Sequence, residues 1–203
     1  VQLKRGDLPR LAAALQRLLP LREGVARAET LLDLARLLGD SLDDAPGAIA
    51  RLQEARALVP EERERDGSLG RADQSQIARD VVRELAERLE AADRWEDLAV
   101  LHAQVGETSE GKEAAASFRR SAEILRDRRD DVPGAVRAFR RALQADPMDG
   151  DALAAADDLL ISRGDHALRA EMYRARLNDR PDDALAREGL LSSLAAGGNW
   201  TEL

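Results

Sequence analysis

The stretch Asp131-Val-Pro-Gly-Ala-Val136 decides the fold, because its pattern occurs twice in the chain. Asp44-Ala-Pro-Gly-Ala-Ile49 shows the same pattern 87 residues earlier. A second period, of 34 residues, relates Phe139 to Tyr173. Fixed periods of this size indicate stacked supersecondary units, each too small to bury its apolar face alone. They also favour a function carried by an extended surface over one carried by a catalytic cleft.

The composition favours helices. Alanine, leucine, arginine and glutamate are frequent, and all four are strong helix formers. Aromatic residues make up only 2% of the 203 residues, whereas the core of a sheet protein needs aromatic and β-branched side chains. The sequence therefore predicts an all-α protein.

Apolar residues recur at helical spacing along nearly the whole chain, and the breaks have physical causes. Asp131, a helix-capping residue, stands before Pro133, whose missing N–H is harmless in a first helical turn. Gly164 suits a helix end that needs positive φ, and Pro147 ends the helix before it. Short connections make consecutive helices antiparallel. The predicted helices are 8–20, 23–40, 45–58, 74–91, 95–105, 112–129, 133–145, 149–163, 166–178 and 182–196, with another beginning near 199.

The charge balance argues against two classes of partner. There are 31 basic and 39 acidic residues, a net charge of −8. Nucleic acid and anionic membrane surfaces both attract clustered positive charge, so we expect no nucleic acid and no membrane insertion. The chain has no Cys, which excludes disulfides and Cys-ligated metals and favours a reducing, cytoplasmic compartment.

One stretch imitates a phosphate-binding loop. Gly106-Glu-Thr-Ser-Glu-Gly-Lys112 satisfies the G-x4-G-K spacing. However, Glu113 stands where a metal-binding hydroxyl is needed, and Glu107 and Glu110 repel phosphate. The preceding segment also has helical periodicity, unlike the strand before a true phosphate loop. We therefore expect a turn between repeats and no nucleotide or other cofactor.

No constellation for catalysis or metal binding stands out. His166 takes the position that Trp95 takes elsewhere in the repeat, so packing at a repeat interface is favoured over metal ligation. Three of the four Asp–Asp pairs lie at predicted helix starts, where Asp caps free N–H groups. We expect no metal, no catalytic residue and no enzymatic activity. The Asp–Asp pairs are Asp43–Asp44, Asp130–Asp131, Asp157–Asp158 and Asp182–Asp183.

Residues 135–181 resemble a known repeat family. Ala135-x6-Ala142-Leu143-x3-Pro147, with Phe139 between, resembles the second helix and closing turn of a tetratricopeptide repeat (TPR). The next unit, from Leu160-x3-Gly164-Asp165 to Pro181, is similar. Four charged residues depart from the small residues that the family prefers: Glu123, Asp157, Arg169 and Arg176.

The resemblance implies an α-solenoid of stacked antiparallel helix hairpins, wound as a right-handed superhelix. We interpret 1–203 as a single TPR-like solenoid, part of a larger multi-repeat protein. Residues 61–76 are interpreted as an inserted loop, with a helical extension of the preceding helix as the alternative. The predicted hairpins are 23–58, 74–105, 112–145 and 149–178, with partial units at 8–20 and 182–203.

In this family a groove lined by the first helix of each repeat holds the partner. Only Arg120 among the matching positions is basic, so the clamp that captures acidic tails in some members is absent. The expected function is a non-enzymatic protein–protein scaffold or adaptor whose partner is a protein or peptide with a basic patch. The alternative is a purely architectural spacer. The predicted partner-binding residues are Arg120, Ile124, Asp151, Ala154, Asp158, Ile161, Glu188 and Ser192.

Overall fold

A computed structural model describes residues 7–59 and 69–198, with only the backbone for 69–73. Within these ranges the chain is helical and has no strand, as predicted. The chain divides into two compact units, Val1–Leu101 and His102–Leu203, here called unit 1 and unit 2. The helices are α1 (Leu8–Leu18, followed by a 3₁₀ turn Leu19–Leu21), α2 (Gly24–Ser41), α3 (Ala45–Leu58), α4 (Leu69–Ala91), α5 (Trp95–Thr108), α6 (Gly111–Arg129), α7 (Val132–Ala145), α8 (Gly150–Arg163), α9 (His166–Asp179) and α10 (Ala184–Ala196).

One helix start differs clearly from its prediction. Helix α4 begins at Leu69, so residues 69–76, predicted as part of an inserted loop, are helical. The physical reason is that this segment contains good helix formers, and its only glycine, Gly70, lies in the first turn, where it costs little. The rest of the predicted loop, 61–68, and the helix expected near 199 lie outside the described residues.

The repeated Asp-x-Pro-Gly stretch is a helix start with one geometry in both copies. An Asp131 carboxylate oxygen accepts the N–H of Gly134 at 3.0 Å, and Asp44 accepts that of Gly47 at 2.9 Å. A Cβ on either glycine would overlap the capping carboxylate. Glycine leaves room for the carboxylate but is not essential for the cap, since Asp149 caps Ala152 and Asp183 caps Ala186 in the same way.

The helix before each of these starts also ends in one way. Asp43 and Asp130 adopt φ of +54° and +52°, the left-handed conformation that Asp tolerates better than most residues. The next N–H then reaches back to a carbonyl of the last turn, as in the 2.9 Å bond from Asp131 to Leu125. The sequence predicts this conformation at Gly164, where φ is +67°, and misses it at the two aspartates.

In unit 1 the helices α2 and α3 form a hairpin, α1 packs on α2, and α4 packs against both members of the hairpin. Four charged residues join α2 to α4. Arg88 donates to Glu84 at 2.7 Å and also to Asp40, while Arg36 lies 3.4 Å from Glu84. A Cβ on Gly39 would lie 2.5 Å from the Arg88 guanidinium, so this glycine makes room for the pairing. The core of the unit includes Leu31, Leu34, Ile49, Leu52, Val81 and Leu85.

In unit 2 the helices pack in chain order, with α6 and α7 as a hairpin, α8 on α7, and α10 on α9. Phe139, which is fully buried, lies at the centre of a core of mostly small residues. Alanines at these positions let the helices approach closely, and the rings of Phe118 and Phe139 fill the remaining space. The core includes Phe118, Ala122, Ala135, Ala142, Ala152 and Ala156.

Candidate functional site

Most of the predicted partner-binding residues are exposed on α6, α8 and α10 of unit 2, and this set of residues is here called the first-helix face. Ile124 is the exception. It is only 3% exposed, because the turn of α6 that carries it packs into the core, and it is therefore not available as an apolar contact. The first-helix face comprises the exposed residues Arg120 of α6, Asp151, Ala154, Asp158 and Ile161 of α8, and Glu188 and Ser192 of α10.

Helical spacing places the predicted residues of α8 on one side of that helix. Asp151, Asp158 and Ile161 follow one another at intervals of seven and three residues, which is close to whole turns of an α-helix. Ile161 is 48% exposed. Leu185, one turn before Glu188 on α10, is 74% exposed. The face thus offers large apolar side chains next to carboxylates.

Some charged residues of this face form ion pairs and others do not. On its α6 edge Arg126 donates to Asp127 at 2.6 Å, and that bond lowers the pKa of the Asp127 carboxyl. Arg120 lies 3.6 Å from Glu123 on the same helix. By contrast, neither Asp158 nor Glu188 makes an ion pair with any residue in the described part of the chain. The accessible charge of the face is therefore negative.

Behind the face a polar network joins three helices. Arg169 of α9 is almost fully buried and donates to both carboxylate oxygens of Asp157 in α8, with the Nη2 bond at 3.0 Å. Its Nη1 donates to the Ser192 hydroxyl of α10 at 3.1 Å. The Tyr173 ring lies 5.5 Å from the guanidinium and packs against Gly189. Burial, reinforced by Asp157, raises the pKa of Tyr173 to about 12.

This network accounts for departures from the family pattern that the sequence leaves unexplained. Asp157 and Arg169 both replace small residues, and the structure shows them bonded to each other. Arg176 is explained in the same way, since it lies 2.7 Å from Asp183 and donates to the Pro147 carbonyl at 3.2 Å. Two opposite charges at small-residue positions of adjacent helices were the signal in the sequence.

Unit 2 also contains a cavity that was not predicted. A cavity of about 470 Å³ lies between α7 and α9, with α8 as its floor. It is on the opposite side of α8 from Asp158 and Ile161, because Ala156 and Leu160 of α8 point into it. In the sequence, the apolar residues that line this cavity cannot be distinguished from ordinary packing residues. We call this cavity the α7–α9 groove; its apolar lining includes Val136, Leu143, Ala156, Leu160, Leu168 and Met172.

The stretch that imitates a phosphate loop is a junction between two helices. Gly106 lies inside α5, where a Cβ would come within 2.8 Å of the Phe118 ring. Gly111, with φ of +56°, starts α6 after a two-residue link. Lys112 is exposed in the first turn of that helix. This arrangement lacks the strand-to-helix loop that wraps a phosphate.

The described residues contain no group of three or more His, Asp or Glu side chains placed to hold a metal ion. Among the helices that the structure describes, none combines the length and apolar character needed to cross a membrane. His166 is half-buried, and an added Cβ on Gly197 would lie 3.3 Å from its Cβ. It therefore lies between the start of α9 and the end of α10.

No protein-family model and no curated protein matches the chain. Among solved structures it is similar to the TPR domain of P58(IPK), with 18% identity and a TM-score of 0.38, over 98% of this chain and 54% of that one. It is also similar to the TPR2AB domain of yeast Sti1, solved as a complex with pHSP90, with 12% identity and a TM-score of 0.38, over 95% of this chain and 80% of that one. The chain thus spans about half the length of the P58(IPK) domain. Both neighbours are TPR domains, the family that the residues resemble.

Proposed function

We propose that this chain is a protein-binding module without catalytic activity of its own, and that the first-helix face of unit 2 receives the partner. The observation that carries the proposal concerns two carboxylates, Asp158 and Glu188, that make no ion pair with another described residue. They lie on the helices that also expose Ile161 and Leu185. Binding is favoured when a partner covers exposed apolar side chains, because removing their surface from water lowers the free energy. Unpaired carboxylates beside them select a partner surface that carries Arg or Lys.

Charge also determines how such a partner would arrive. Attraction between the carboxylates and a basic surface speeds encounter and weakens as salt screens it. The two residues with the clearest effect are Asp158 and Glu188, because neither forms an ion pair with an arginine among the described residues, although the Arg126 charge acts on Asp158 from a greater distance. Asp151 contributes less, since Arg119 already lies 3.6 Å from it.

The test uses charge reversal on the immobilised chain. Proteins captured from the lysate of the cells that produce it are measured against wild type and against Asp158→Lys/Glu188→Lys. We expect binding at least about tenfold weaker in the variant and weaker in wild type at high salt, with helix content unchanged. The matched control is Glu87→Lys/Asp182→Lys, which changes the net charge equally at exposed carboxylates outside the face.

Two results would contradict this function. The first is equal binding by the face variant and the control variant. The second is loss of binding only when α7 and α9 are altered. If the wild-type chain captures no protein, the alternative of an architectural spacer is favoured instead.

A further inference from the structure

The α7–α9 groove has the form of a binding site. Its volume of about 470 Å³ lies within the range of known ligand pockets, about 300–1,000 Å³. The floor is formed by the buried Ala156 and Leu160 of α8. On the two walls, Leu143 and Met172 are only half-buried, so apolar surface remains open to solvent. Such surface is costly unless another group covers it.

The rim of the groove has opposite charges on its two sides. Arg140 stands on the α7 side, and Glu171 and Asp179 stand on the α9 side. All three are exposed, and none forms a hydrogen bond or an ion pair with another described residue. The groove thus keeps a cation and two carboxylates apart, each free to meet a charge of opposite sign.

The dimensions fit one kind of occupant. Along α7 the lining runs from Val136 to Gln144, and eight residues of helical rise correspond to about 12 Å. Glu171 and Asp179 are also eight residues apart, or about 12 Å along α9. An α-helix laid between α7 and α9 would present about two turns to the floor, with one flank toward each rim.

We infer that this groove docks an amphipathic α-helix of another protein. Its apolar stripe covers Leu143, Leu160 and Met172. The flank facing α9 carries Lys or Arg two turns apart, for Glu171 and Asp179. The flank facing α7 carries a carboxylate for Arg140. This site shares no residue with the first-helix face, so it is a second docking surface, independent of the function proposed above.

The test uses a displayed library of 14-residue amphipathic helices with a fixed leucine stripe and flanks randomised among Lys, Glu and Gln. The blocking variant is Ala175→Arg, because Ala175 is exposed and lines the groove. The matched control is Ala167→Arg, at an exposed alanine of the same helix that does not line it. Arginine is a good helix former, and thermal melts confirm that both variants fold.

We expect selected helices to carry basic residues on one flank and acidic residues on the other. Ala175→Arg should weaken their binding at least about tenfold, while Ala167→Arg and the variant Asp158→Lys/Glu188→Lys leave it unchanged. The inference is overturned if no helix is selected, if the selected flanks show no charge bias, or if both arginine variants bind equally. Titration with dodecanoate tests whether the groove instead binds a small amphiphile. If dodecanoate binds saturably, Ala175→Arg blocks that binding and no helix is selected, the cavity belongs to that ligand class and helix docking is overturned.

Discussion

Arg169 of α9 and Asp157 of α8 form a two-point ion pair in the interior of unit 2, at positions where TPR-like repeats ordinarily have small side chains. The side chains are 9% and 17% exposed. A buried charge is tolerated only when its partner and its hydrogen bonds are in place. The two departures from the family pattern are therefore a single feature.

The first prediction concerns this pair. Arg169→Ala leaves Asp157 desolvated and unpaired, and we expect a loss of about 3–5 kcal/mol in the free energy of unfolding. The double variant Asp157→Ala/Arg169→Ala should lose less than the sum of the two single variants, with a coupling of at least about 1 kcal/mol. Denaturant titrations of all four proteins measure the cycle. Strict additivity would mean that the pair contributes no interaction of its own.

The second prediction compares two glycines. A Cβ on Gly189 would overlap the Tyr173 ring, whereas a Cβ on Gly150 would meet nothing within 4 Å. Gly189→Ala should therefore destabilise the chain by about 1–3 kcal/mol through overpacking. Gly150→Ala should be neutral or stabilising by up to about 1 kcal/mol. Thermal melts of the two variants decide, and similar shifts in both would refute close packing at Gly189.

The third prediction tests the ring at the centre of the core. Phe139 is 0% exposed, so Phe139→Ala should cost about 3–5 kcal/mol by leaving a cavity among alanines too small to fill it. Phe139→Leu keeps most of the apolar volume and should cost less. An unchanged melting temperature for Phe139→Ala would place the ring outside the core.

The fourth prediction is an acid limit to stability. The backbone N–H of Ala186 and the Arg176 guanidinium hold the pKa of Asp183 below its ordinary value. A carboxyl whose pKa is lower in the folded state adds stability that is complete above its unfolded pKa of about 3.9 and is lost as pH falls through the folded value. We expect Asp183→Asn, which keeps a capping oxygen, to flatten the fall in melting temperature below pH 4. The same slope in wild type and variant would contradict this.

The fifth prediction follows from the single tyrosine of the chain. Because the pKa of Tyr173 is raised to about 12, its tyrosinate absorbance should appear only near that pH while the chain stays folded. The unfolded chain should titrate near 10, so this group makes the folded state less stable as pH rises above 10. Asp157→Asn should lower the pKa of Tyr173, since it removes the carboxylate that reinforces the shift. A folded chain that titrates near 10 would show that the ring is accessible.

The sequence predicted the helices well, because their ends depend on local chemistry. Asp131 caps α7 through the glycine three residues later, and Gly164 ends α8 in the left-handed conformation. The start of α4 was placed too late, because a charged, polar stretch was interpreted as loop although its residues favour helix. Local sequence rules do not distinguish a solvent-exposed loop of this composition from a solvent-exposed helix.

The candidate site was less predictable, because burial depends on neighbours far along the chain. Ile124 and Ile161 were both predicted as apolar contacts for a partner, yet one is buried and the other is exposed. Asp157 and Arg169 were recognised as unusual, but their pairing depends on how α8 and α9 pack. The α7–α9 groove gave no signal, since a cavity is an absence of atoms between side chains that each look like core residues.

The bridge from Asp157 through Arg169 to Ser192 also sets how unit 2 comes apart. In an array whose neighbours share only apolar contacts, the last helix can fray by itself. Here detachment of α10 breaks the hydrogen bond that Arg169 donates to Ser192 and exposes the buried guanidinium to water, so α8, α9 and α10 should open as one cooperative block. Amide hydrogen exchange of these three helices would then share a single opening free energy.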